Sequence, residues 1–101
     1  MKAKHTPGKW IFKKGGNFSG TYVNYVMSGN INIAQTRGNI DKIPMGENEA
    51  NAKLIAAAPD MFTALMVAKA HLEYAIEFGA GAGGESKAIE IIDKAIKKAT
   101  L

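Results

Sequence analysis

The feature that most constrains this chain is a change of periodicity near Glu47. Upstream, apolar and polar residues alternate in short runs broken by glycine and asparagine, the period-two pattern of strands. Downstream, alanine-rich and amphipathic segments repeat at helical spacing. Strands followed by helices, without alternation between them, give an α+β fold rather than a parallel α/β sheet.

Lys9–Lys13 places Trp10 and Phe12 on one side and Ile11 and Lys13 on the other, and Gly15-Gly16-Asn17 reads as its end. Thr21–Met27 is rich in β-branched and aromatic residues. Val23, Tyr25 and Met27 share one face; Tyr22, Asn24 and Val26 share the other. Ser28-Gly29-Asn30 reverses the chain, and Ile31 and Ile33 alternate with Asn30 and Asn32 in the next strand. Short turns predict an antiparallel meander with strands at about 9–13, 21–27 and 30–35. Residues 37–47 read as a loop, because Gly38, Pro44 and Gly46 oppose a regular element. Helices are predicted at about 48–58, 60–78 and 86–99. Pro59 separates the first two, and the glycine-rich run from Gly79 to Gly84 turns the last two into an antiparallel hairpin. At 101 residues the chain is read as one domain, with residues 1–8 as an arm.

Cysteine is absent, so disulfides and thiolate metal sites are excluded. The two histidines, His5 and His71, lie far apart and outside any zinc-enzyme spacing. The three serines, Ser19, Ser28 and Ser86, have no nucleophile-elbow context. Glu73 and Glu77 read as solvated charges one helical turn apart. The expectation is a protein that binds rather than catalyses, with no cofactor and no metal. No apolar run approaches the roughly 20 residues that span a bilayer, and no apolar stretch follows Lys2 and Lys4 as in a secretory signal. The reading is an intracellular protein without a membrane partner.

The net charge of +4 is uneven. Residues 1–14 carry five lysines and no acid, whereas the positive and negative charges of residues 61–101 cancel. Lysines interleaved with aromatics on the first strands suit phosphates and stacked rings; they equally suit an edge strand defended against pairing, above a buried aromatic face. Candidate ligand residues on the sheet are Lys13, Tyr22, Asn24 and Arg37, with Tyr22 and Asn24 on the face opposite Val23 and Tyr25. A second candidate is the glycine loop entering the last helix. There Gly83 and Gly84 amides, the Ser86 hydroxyl and the Lys87 ammonium could hold an anion, or glycine could simply reverse the chain.

His5-Thr6-Pro7-Gly8-Lys9-Trp10 resembles the His-Thr-Pro-Gly-Pro-Trp opening of small accessory proteins of tailed phages and prophages. Asn51-Ala52-Lys53-Leu54-Ile55-Ala56-Ala57-Ala58-Pro59-Asp60, followed by Met61-Phe62-Thr63-Ala64-Leu65, resembles their Asn-Ala-Arg-Leu-Ile-Ala-Ala-Ala-Pro-Asp-Leu-Leu-Glu-Ala-Leu block. Ile33-Ala34 lies between the two segments, as in that family. The β-then-helix layout is also similar to phage sponge proteins that counter Thoeris defence. That likeness implies an oligomer that sequesters cyclic ADP-ribose-type signals, and no site residue transfers from it. The resulting expectation is a phage-encoded binding protein in the cytoplasm of the infected host, taking a phosphate-bearing nucleotide signal. The alternatives are an inhibitor that docks on a host defence protein and a nucleic-acid-binding accessory protein. The apolar helices, with more surface than one thin sheet covers, predict a homo-oligomer.

Overall fold

In a computed structural model that describes residues 4–39, 41–79 and 83–100, the order is β1 (Trp10–Phe18), β2 (Thr21–Ser28), β3 (Ile31–Asn39), α1 (Met45–Ala56), α2 (Ala58–Glu77) and α3 (Glu85–Thr100). The strands form one antiparallel sheet in the order β1-β2-β3, the expected meander. Ser19 and Gly20 both have positive φ, 54° and 85°, as a two-residue type I′ hairpin requires. The Asn17 side-chain oxygen accepts from Gly20 N at 3.0 Å and holds that turn.

Two glycine positions correct the sequence reading. Gly15-Gly16-Asn17 does not end β1. The pairing slips between Lys14 and Asn17, so these glycines form a bulge inside a longer strand. A Cβ on Gly15 would collide with the Val23 carbonyl, and the Gly15 amide instead donates to Asn24 Oδ1 at 3.2 Å. Gly38 belongs to β3 rather than to a loop, because the chain packs against it. A Cβ there would lie 2.5 Å from Ile43 O and 3.0 Å from Asn48 Cβ. The predicted 37–47 loop therefore shrinks to a tight turn. Asn39 Oδ1 accepts from the amides of Asp41 and Lys42 at 3.1 and 2.8 Å, and Ile43 N donates to Asn39 O at 3.1 Å. Pro44 then occupies the N-cap position, and α1 begins three residues earlier than predicted, at Met45.

The chain divides into two compact units. The first, His5–Pro59, holds the sheet and α1. Its core lies mainly on the sheet face bearing Phe12, Asn24, Val26, Thr36 and Gly38, and Val23 is buried on the opposite face. Val26, Ala52 and Asn48 are fully buried. Alanine at position 52 lets the helix approach closely. Asn48 Nδ2 donates to Tyr22 O at 3.0 Å, and Thr36 Oγ1 donates to Asn48 O at 3.4 Å. The Lys53 ammonium stands 5.3 Å from the Phe12 ring centroid, within cation–π range.

The His5–Trp10 motif closes one end of this unit. Trp10 Nε1 donates to Thr6 O at 3.0 Å, and Ser28 Oγ donates to Pro7 O at 2.9 Å. Gly8, at φ 93°, leaves no room for a Cβ beside Ser28 Oγ. Of the arm predicted over residues 1–8, residues 6 and 7 are thus hydrogen-bonded to Trp10 and Ser28, and residues 1–3 lie outside the described residues.

The second unit contains the helical hairpin from Asp60 onward. Pro59 sits in the first turn of α2, where its missing N–H costs no helical bond. Only Ala57 separates α2 from α1. Lys69 Nζ lies 2.7 Å from Asp93 Oδ1, and Met66 and Ile96 border the same hollow one turn further along each helix. That pairing is antiparallel, as predicted. In α3 the face with Ala88, Ile89, Ile92 and Ile96 is withdrawn from solvent, and Lys94, Lys97 and Lys98 are exposed. Val67 and Tyr74 of α2, with Phe78 just past its end, form an exposed stripe, and the Tyr74 and Phe78 rings are 4.4 Å apart.

Candidate ligand-binding face

Strand alternation sends every second side chain of β2 to the face opposite α1. Thr21, Val23, Tyr25 and Met27 lie there. The register places Lys13 directly beside Tyr25 on one side and Gln35 on the other. One row nearer the Ser19-Gly20 turn, Val23 pairs with Arg37; one row further away, Met27 pairs with Ile11 and Asn32. A half-buried tyrosine therefore sits at the centre of the sheet, between an exposed lysine and an exposed glutamine, with an exposed arginine on the neighbouring row.

The arginine is held in place. With the Gln35 amide oxygen turned toward it, Gln35 accepts from Arg37 Nε and Nη2, both at 3.1 Å. Beside Arg37, a hollow of about 250 Å³ is lined by Thr21, Arg37, Gly38, Asn39, Lys42 and Ile43. Among the described residues its lining has two cations and no acid. Neither Arg37, Lys42 nor Lys13 is in an ion pair among the described residues.

A second hollow, of about 220 Å³, lies at the bulge on the α1 side. Lys14, Tyr22, Asn24, Met45 and Glu49 are among its lining residues. Glu49 is already paired with Lys53 at 3.2 Å.

Four candidates from the sequence divide accordingly. Lys13 and Arg37 reach the same face, one on each edge strand, Lys13 beside Tyr25 and Arg37 one row away beside Val23. Tyr22 and Asn24 are on the opposite face, and that face proves to be the one α1 covers. The expectation that they are the freer pair is corrected for Asn24, which is 5% exposed and has its side-chain oxygen committed to the bulge amide. Sequence reasoning counted Tyr25 among the lysine-flanked aromatics but preferred Tyr22 on the other face, and it missed Gln35 and Lys42. The in-register run Lys13–Tyr25–Gln35 becomes visible only once both hairpin turns are placed correctly.

The glycine-loop candidates are in the other unit. Gly83 and Gly84 have φ values of 105° and 84°. The Gly83 amide donates to both carboxylate oxygens of Glu85, at 3.1 and 3.0 Å, so the chain supplies its own anion at that amide. Ser86 is exposed, and Lys87 lies 3.8 Å from Glu90. Residues 80–82 of this loop lie outside the described residues. Among the described residues, no three His, Asp or Glu side chains gather in a metal-binding group, and no helix is long and apolar enough to cross a membrane.

Comparison with known proteins gives one family: the family model described as Salmonella phage P22 protein Y8K6 matches residues 1–100. No curated protein and no solved structure matches the chain.

Proposed function

The chain belongs to the family of Salmonella phage P22 protein Y8K6, and on that premise we propose a phage-encoded, non-catalytic binding protein whose open sheet face takes a phosphate-bearing nucleotide. The observation that carries this reading is the row Lys13–Tyr25–Gln35 with Arg37 beside it. Bases stack on aromatic faces whatever their hydrogen-bonding edge, and flanking cations neutralise phosphate. Gln35 adds an amide able to reach a base or ribose. A protein built this way acts by occupancy. In the cytoplasm of an infected cell it would lower the free concentration of a nucleotide signal used by host defence.

Isothermal titration with nucleoside monophosphates, cyclic nucleotides and cyclic ADP-ribose isomers tests the reading. Tyr25→Ala should weaken binding by about 1–3 kcal/mol, the usual worth of one stacked base. No heat with any of these ligands removes the proposal.

A second reading has its own observation. The exposed stripe of Val67, Tyr74 and Phe78, along α2 and just past its end, suits a protein contact, with a host defence protein or with another copy of the chain. Native mass spectrometry of the purified protein reports the copy number and any retained ligand together. A protein partner captured from host lysate by wild type but not by Tyr74→Ala, with no nucleotide bound, favours this second reading.

A further inference from the structure

We infer that the hollow bordered by Arg37 and Lys42 is a site for a terminal phosphate, a phosphomonoester, rather than for the phosphodiester of a cyclic nucleotide. This inference rests on the sheet-face reading and deepens it by naming the group that anchors the ligand.

At about 250 Å³ the hollow is smaller than the roughly 300–1,000 Å³ pockets that enclose whole drug-sized ligands. It fits one end of a ligand whose remainder lies elsewhere. The open face supplies that place, since Arg37 is one side-chain repeat, about 7 Å, from the Tyr25 row.

A guanidinium carries five N–H donors in a fixed plane. Gln35 takes one from Nε and one from Nη2, which leaves three, including the pair on the Nη1–Nη2 edge. That edge is the fork that binds two oxygens of a phosphate. Gln35 thus fixes the plane of the fork without consuming it. The backbone from which Lys42 projects is fixed, because its amide and that of Asp41 are both tied to Asn39 Oδ1. Thr21, paired with Asn39, brings a hydroxyl to the same hollow.

Charge decides between phosphate types. Two cations, with no acid among the described lining residues, match a phosphomonoester, which carries nearly two negative charges at neutral pH and three free oxygens. A diester has one charge and two free oxygens, and leaves one cation unmatched.

The test is titration calorimetry of the full chain with the four nucleosides, their 5′-monophosphates and their 3′,5′-cyclic forms, using wild type, Arg37→Gln, Lys42→Gln and Tyr25→Ala. Circular dichroism verifies that each variant is folded. For the nucleoside that binds best, the 5′-monophosphate should bind at least about tenfold more tightly than the nucleoside or the cyclic diester, roughly one charge-assisted hydrogen bond. Arg37→Gln and Lys42→Gln should each reduce that ratio toward one. Tyr25→Ala should weaken nucleoside and monophosphate alike and keep the ratio. A cyclic form that binds as tightly as the monophosphate, or a ratio indifferent to both cation replacements, overturns the inference. If nucleoside and monophosphate bind equally to wild type, the hollow is not the anchor, while the sheet-face reading stands. If none of the ligands binds, both fall.

Discussion

Replacing Val26 by alanine probes the physical basis of the first unit most directly. Val26 has no exposed surface and lies in the central strand, paired with Phe12 and Ala34 beneath α1. The change removes two methyl-sized groups, worth about 0.8 kcal/mol each in lost transfer free energy. The vacated volume adds up to about 1 kcal/mol, because packed neighbours relax only partly. The expected loss is therefore about 1.5–3 kcal/mol. Urea unfolding followed by tryptophan fluorescence measures it, since Trp10 is the single tryptophan and belongs to the same unit. The midpoint should fall without a change in slope. Ile31→Ala is the comparison: Ile31 is larger but 54% exposed in an edge strand, and should cost less than about 1 kcal/mol. A Val26→Ala loss below about 0.5 kcal/mol, or an Ile31→Ala loss that equals it, would refute the claim that the helix-covered face holds this unit together.

Three further outcomes follow from single positions. Gly38→Ala forces a Cβ to 2.5 Å from a backbone oxygen, and should cost about 1–3 kcal/mol in the same unfolding assay. Gly46→Ala lies within α1 with open space around its Cβ position and no positive φ, so it should stabilise by about 0.5 kcal/mol; a loss there would contradict the placement of the helix start. The hydrogen bond to Asp93 raises the pKa of Lys69 above its ordinary value of 10.5, with burial opposing and the charges of Asp93 and Glu73 assisting. A raised lysine pKa stabilises the folded state below 10.5, and that contribution is lost as pH climbs through the folded-state value. The melting-temperature difference between wild type and Lys69→Met should accordingly shrink above pH 10.5, and a difference that grows there would reverse the assignment.

The element order was legible in the sequence because each segment has a clean period and sharp punctuation. Gly15-Gly16-Asn17 and Ser28-Gly29-Asn30 read as the breaks between three β-rich runs, which gives the right order although the first turn lies at Ser19-Gly20, and alanine-rich helix reads from near Glu47. Glycine was harder to interpret, since the residue that breaks a strand is also the only one that fits a bulge. Gly15 and Gly38 are required by close approach of another part of the backbone, and local sequence does not contain that information. Which face of the sheet would be covered was equally hidden. Tyr22, Asn24, Val26 and Ser28 look like the wetter side of β2. They become the buried side because Asn48 and Ala52 of α1 descend on them, and because the bulge amide satisfies Asn24. The candidate site shifted with that choice: Lys13 and Arg37 kept company with Tyr25, and Asn24 became part of the scaffold.

The locality of the sheet unit bears on how the protein folds. Its strands follow one another through two short turns, and α1 comes directly after them, all within His5–Pro59. Such neighbour-to-neighbour wiring closes with little search, so this unit can form from its own contacts without waiting for α2 and α3 to pack. The sheet face bearing Tyr25 and Arg37 is thus built entirely from residues of this one locally wired unit.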